Sequence, residues 1–156
     1  YFETSQHPPL LRKLYPNMPL IKGWPLMLEE PLILAGFGKY DLKLRLHQLK
    51  MKLKTVVDFI VEFQVHQSNF TKEQALAYMM RAGYMTEAEA ERKWNRMLLF
   101  PGDAAYPYAG FQETADMEKE YKQLKGEDFS QKEFMTKLLS YGALPLRHLK
   151  KKILEQ

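Results

Sequence analysis

From Thr55 to His66 the chain reads TVVDFIVEFQVH, an apolar run that carries three ionisable residues. Asp58, Glu62 and His66 stand at i, i+4 and i+8, so on a helix they stack along one face. A carboxylate or imidazole among large apolar neighbours is costly unless it has a partner or a task. Two readings of the stripe stay open: a polar cleft wall that binds substrate, or a satisfied structural network with Lys54 nearby. A second candidate is PGDAAYPYAG, Pro101 to Gly110, which crowds Tyr106 and Tyr108 into a Gly/Pro loop before a helix. Loop tyrosines can give a proton or a hydrogen bond to a developing oxyanion. The competing reading packs both rings on the core. Glu29 and Glu30 form a third candidate. They are either a surface pair that meets a lysine, or they include a metal-directed carboxylate for a site completed elsewhere.

Zinc needs three or four correctly spaced ligands. The four histidines (His7, His47, His66 and His148) are scattered and HExxH is absent, so this chain alone is not expected to hold zinc. The absence of cysteine excludes disulfides, thiolate nucleophiles, Cys-bound zinc and iron–sulfur clusters, without fixing the compartment. No Gly-rich phosphate loop and no GxSxG occurs.

The elements that must position these groups are helices. Residues 1–22 hold Pro8, Pro9, Pro16 and Pro19 and read as an extended lead-in, with a short turn over Leu10–Tyr15. Residues 23–156 read as one all-α domain. An apolar helix starts at Gly23, is kinked by Pro31 and closes at Gly36 and Gly38. Asp41 caps a helix to about Gln67. Its apolar seam comprises Leu42, Leu46, Leu49, Leu53, Val56, Ile60 and Phe63; the first half belongs at the surface and the second in the core. Thr71–Gln74, Thr86–Glu89 and Ser130–Glu133 have capping-box spacing and open three further helices. A helix from about Tyr108 to Leu124 and a basic one over 145–155 complete about seven, with no β alternation.

The length of 156 residues suits one domain or part of a larger one, and 46% apolar with 27% charged residues is globular composition. A net charge of +4 is too mild to indicate nucleic acid, and the basic stretches Lys39–Lys54 and Arg147–Lys152 lack interleaved aromatics, so they read as solvated faces. No apolar run reaches membrane-spanning length. The chain opens on Tyr1 rather than methionine and reads as trimmed or excised.

The order of motifs resembles the C-terminal part of a bacterial family, domain of unknown function 885, whose members look like helical zinc metallopeptidases. The family runs EGWALYAE, RLVVDTGLH, W-T-R-E-Q-A, RYxxxPGQALSYxxG and FHDxxLxxGxLPLxxL. The counterparts here are KGWPLMLE (Lys22–Glu29), Asp58 to His66, FTKEQA (Phe70–Ala75), RMLLFPGDA (Arg96–Ala104) and FMTKLLSYGALPL (Phe134–Leu146). The resemblance implies a zinc-dependent peptide hydrolase whose HExxH helix precedes this chain. Glu29 would be a metal ligand; His66, Tyr106 and Tyr108 would be catalytic; Asp58, Glu62 and Arg96 would bind peptide. Zinc is then expected in the full-length protein and not in this fragment. The partners expected are peptide substrate, the N-terminal part of the same chain, or a second copy. Export to the periplasm is favoured over the cytoplasm. Three departures fall where the chemistry would be: Lys22 replaces the leading Glu of EGW, Asp58 replaces an Arg, and the loop Tyr falls at Pro107. The alternative expectation is therefore a degenerate relative that acts as a peptide-binding or structural helical domain.

Overall fold

The computed structural model describes residues 14–155; His7 and residues 10–13 of the expected first turn lie outside them. Among the described residues seven α-helices and one 3-10 turn make an all-α array, with no strand.

Helix α1 spans Met18–Leu34 and so starts earlier than Gly23. Asn17 supplies the reason, because its side chain accepts from Leu20 N at 2.8 Å while Pro19 sits in the first turn, where a missing N–H costs nothing. Pro25 and Pro31 lie inside the helix without ending it. Helix α2, Leu42–Gln67, is capped by Asp41 as its sequence requires. Helices α3 (Lys72–Gly83) and α4 (Glu87–Leu99) follow. Thr71 and Gln74 complete their capping box, but Glu89 does not close the one at Thr86, because its carboxylate goes to Lys54 instead. Helix α5 spans Tyr106–Lys125, and Gly126 turns the chain into a 3-10 step. Helices α6 (Gln131–Ser140) and α7 (Leu146–Leu154) end the fold.

The seam on α2 does not face the core. Leu42, Leu46, Leu49, Leu53 and Phe63 are exposed, while Val57 and Val61 are buried on the neighbouring face. Beyond Thr55 apolar residues occur all round the helix, so spacing alone could not choose which side meets a partner. The expected surface first half is corrected at Gln48 and Lys54, which are buried, and the core second half holds at Val57, Val61 and Glu62.

Two hydrophobic clusters form. Leu20 and Met27 of α1 pack with Met117 and Tyr121 of α5, Phe134 and Leu138 of α6, and the apolar face of α7. Val57 and Val61 of α2 pack with Ala75 and Met79 of α3 and with Ala90 and Met97 of α4. Helices α1 and α5 cross backbone to backbone at two glycines. A Cβ on Gly23 would lie 2.3 Å from Phe111 N, and one on Gly110 would lie 1.7 Å from the Pro19 carbonyl oxygen. Only glycine permits that approach.

Candidate functional site

An open cleft of about 790 Å³ lies where α1, α2, α4 and the loop before α5 meet. Lys22, Thr55, Asp58, Glu89, Asn95, Arg96, Asp103 and Pro107 are among its lining residues. Its charges are mostly paired. Asp58 accepts from Lys93, and Lys54 donates to both oxygens of Glu89 at 2.7 and 2.6 Å. Asp103 is held by Lys22 on one oxygen and by Arg96 at 2.9 Å on the other. The Lys22 hydrogen bond, helped by Arg96, keeps the Asp103 carboxyl below its ordinary pKa. Burial pushes Asp58 the other way, above the ordinary value, and the Lys93 ammonium only partly offsets it. The second oxygen of Asp58 is buried without a hydrogen-bond partner.

Of the residues singled out in the sequence, Asp58 and Arg96 meet in this cleft. Glu62 and His66 do not line it. Glu62 is 3% exposed, accepts from Gly102 N, and has His66 Nε2 at 3.1 Å on the same oxygen. That bond fixes the Pro101–Ala105 loop from beneath, and Gly102 adopts the φ of +88° that the turn needs. The stripe thus divides between the cleft wall and the network that supports its rim. Tyr106 lies under the Lys22 ammonium, 5.7 Å from ring centre to nitrogen. Tyr108 turns inward between Phe59 and Phe111, with centroids 5.3 and 6.2 Å away. Among the described residues neither hydroxyl makes a hydrogen bond, and Tyr108 is half-buried.

Glu29 stands apart, in a separate apolar pocket of about 290 Å³ between α1 and α2, with Leu32, Ile33, Phe37, Leu44, His47, Gln48 and Met51. Its Oε2 is buried and unpartnered, as is the Nε2 of Gln48. No group of three His, Asp or Glu side chains suited to a metal ion occurs among the described residues. Glu30 is the surface partner of the pair, bound to Arg45 and Lys52.

The family model for "Bacterial protein of unknown function (DUF885)" matches residues 1–153. The chain belongs to this family. A search of curated proteins finds no match. Similar solved structures include two bacterial proteins. One is "a putative lipoprotein of unknown function" from Shewanella oneidensis, with 34% identity and a TM-score of 0.90 over 97% of this chain. The other is "the putative lipoprotein" from Colwellia psychrerythraea, with 26% identity and a TM-score of 0.87 over 93% of this chain. The chain spans 28% and 25% of those two chains. No helix among the described residues is long and apolar enough to cross a membrane.

Lys22, one of the three departures noted in the sequence, and Asp103 form an ion pair across 81 positions. The lysine charge is thus answered by a carboxylate. Sequence reasoning missed Asp103, Lys93 and Gln48. The partners of Lys93 and Asp103 lie on other elements, Gln48 meets Arg45 one turn away on its own helix, and the only local signal was an acid next to the loop glycine.

Proposed function

We propose that this chain forms one wall of a peptide-binding cleft in a longer, exported bacterial protein. The observation that carries the reading is the convergence of polar groups from three helices and a loop on one open cleft. Four basic residues (Lys22, Arg92, Lys93, Arg96) and three acidic ones (Asp58, Glu89, Asp103) line it. The surplus favours a segment carrying an acidic group, and the free Asp58 oxygen offers an acceptor for a backbone N–H. Arg96 and Asp58 act as binding residues, Glu62 and His66 as positioning residues beneath the rim, and Tyr106 as part of the edge. The lipoprotein descriptions of two similar structures support export. Titrating the ¹⁵N-labelled chain with blocked acidic peptides should shift the Asn95 side-chain amide, and Arg92→Ala should weaken the effect. An unmoved Asn95 signal with every peptide would count against the cleft.

The second reading is a zinc-dependent peptide hydrolase, and the unpartnered Glu29 oxygen is what favours it. The residues present do not fit a zinc ion by themselves. Glu29 offers one anionic ligand, no three-ligand group accompanies it among the described residues, and a paired ammonium occupies the leading position of the motif. Metal content of the longer protein, purified without chelator, tests this reading: Glu29→Gln should lower bound zinc if Glu29 is a ligand.

A further inference from the structure

Lys22 and Glu29 are seven residues apart on α1, a rise of roughly 10.5 Å and about 20° short of two full turns, so they share a face. Thr55 and Gln48 have the same spacing on α2. Lys22 and Thr55 line the cleft, whereas Glu29 and Gln48 line the small pocket. The two helices run antiparallel here, and the two sites lie one heptad apart along them.

The pocket is apolar except at two points. Gln48 is 5% exposed, and its Oε1 accepts from Arg45 at 2.8 Å, which leaves the two Nε2 hydrogens without an acceptor. Glu29 Oε2 has no donor. Buried groups of this kind are costly unless something completes them. One donor and one acceptor side by side are what a peptide unit presents, and the apolar lining suits the side chain beside it. The volume of about 290 Å³ exceeds the ~150 Å³ that suffices to hold a benzene ring. Leu32, Phe37 and Met51 at the rim are exposed and would be covered by such an occupant.

We propose that this pocket is an apolar-residue subsite of the peptide cleft. Glu29 accepts the N–H of the bound peptide unit, and Gln48 donates to its C=O. An extended strand advances roughly 3.3–3.6 Å per residue, so the apolar side chain lies three residues from the group held near Lys22 and Arg96. The inference rests on the cleft reading and deepens it, because it specifies sequence: an apolar residue and an acidic one with two residues between.

The test uses acetyl-Leu-Ala-Ala-Glu-amide and its reverse, acetyl-Glu-Ala-Ala-Leu-amide, each against a partner with Ala in place of Leu. The Gln48 side-chain amide reports the subsite by NMR, and the Asn95 amide reports the cleft. One Leu peptide should bind about tenfold more tightly than its Ala partner and shift both signals, the range a few buried methylenes give. Gln48→Leu, which removes the donor to the peptide C=O, should weaken both peptides several-fold, and unchanged affinities would overturn the assignment. Glu29→Gln, which keeps a carbonyl acceptor, should preserve the preference; losing it would overturn the peptide-unit assignment in favour of a charge or metal role. If Leu and Ala peptides shift Asn95 equally and Gln48 stays still, the subsite is wrong and the cleft stands. If Asn95 never moves, the cleft reading falls and the subsite falls with it.

Discussion

Lys22→Glu should damage this protein. It removes the ammonium from Asp103 and puts a carboxylate in its place. Two like charges about 4 Å apart repel by roughly 4 kcal/mol at an effective dielectric of 20. Arg96 remains on the other Asp103 oxygen at 2.9 Å and offsets part of this. The side chains are 26% and 22% exposed, so water offsets more. A net loss of about 2 kcal/mol is expected. Asp103→Gln in the same chain removes the repulsion and frees Arg96 for Glu at position 22, so the double variant should recover about 1 kcal/mol or more. Urea unfolding followed by the helical circular-dichroism signal measures all four corners of the cycle. Costs that add within about 0.3 kcal/mol would mean the two positions do not interact, and the account of Lys22 and Asp103 as a stabilising pair would fail.

Gly110→Ala should cost more than about 3 kcal/mol or prevent folding, since its Cβ meets the Pro19 backbone; Gly126→Ala, with nothing within 4 Å, should cost only about 1 kcal/mol for its φ of +54°. Glu62→Leu strips the buried Gly102 N–H of its acceptor and should cost about 1–3 kcal/mol in urea melts, whereas Glu62→Gln keeps a carbonyl there and should cost less. The pH dependence of stability should divide by residue. Asp103, with its pKa held below the ordinary 3.8, contributes stability that is present above that value and lost as pH falls through the lowered pKa; Asp103→Asn should flatten the acid limb. Asp58, with its pKa raised, contributes most below 3.8 and loses that contribution as pH rises through the raised pKa; Asp58→Asn should remove this opposite slope in unfolding midpoints from pH 3 to 7.

What was legible in the sequence was local. Asp41, Thr71, Thr86 and Ser130 each cap the helix that their spacing announced, because a cap and its N–H lie within three residues. The start of α1 was misplaced because four prolines outweighed one Asn cap. Glu89 shows the limit of spacing: it stands where a capping box needs it, but a buried lysine from another helix is the stronger partner. The candidate site was legible as residue types and not as an arrangement. Asp58 and Arg96 reach one cleft, while Glu29 faces a different pocket and Tyr108 fills space between helices. No periodicity encodes which face of α2 is covered, and nothing local pairs Lys22 with Asp103.

The division of the interior into two clusters bears on how the molecule comes apart. The α2–α4 cluster and the α1, α5–α7 cluster meet through contacts such as Phe59 on Tyr108 and Glu62 on Gly102. Apart from such contacts the junction rests on part-exposed ion pairs, Lys22 with Asp103 and Glu30 with Arg45 and Lys52, so each cluster can open on its own, and amide hydrogen exchange should sort the helices into two protection classes rather than one. The cleft sits on that junction. A ligand that grips Lys22 on one side and Asp58 on the other would join the two units and make their unfolding a single event, which is a change in cooperativity as well as in midpoint.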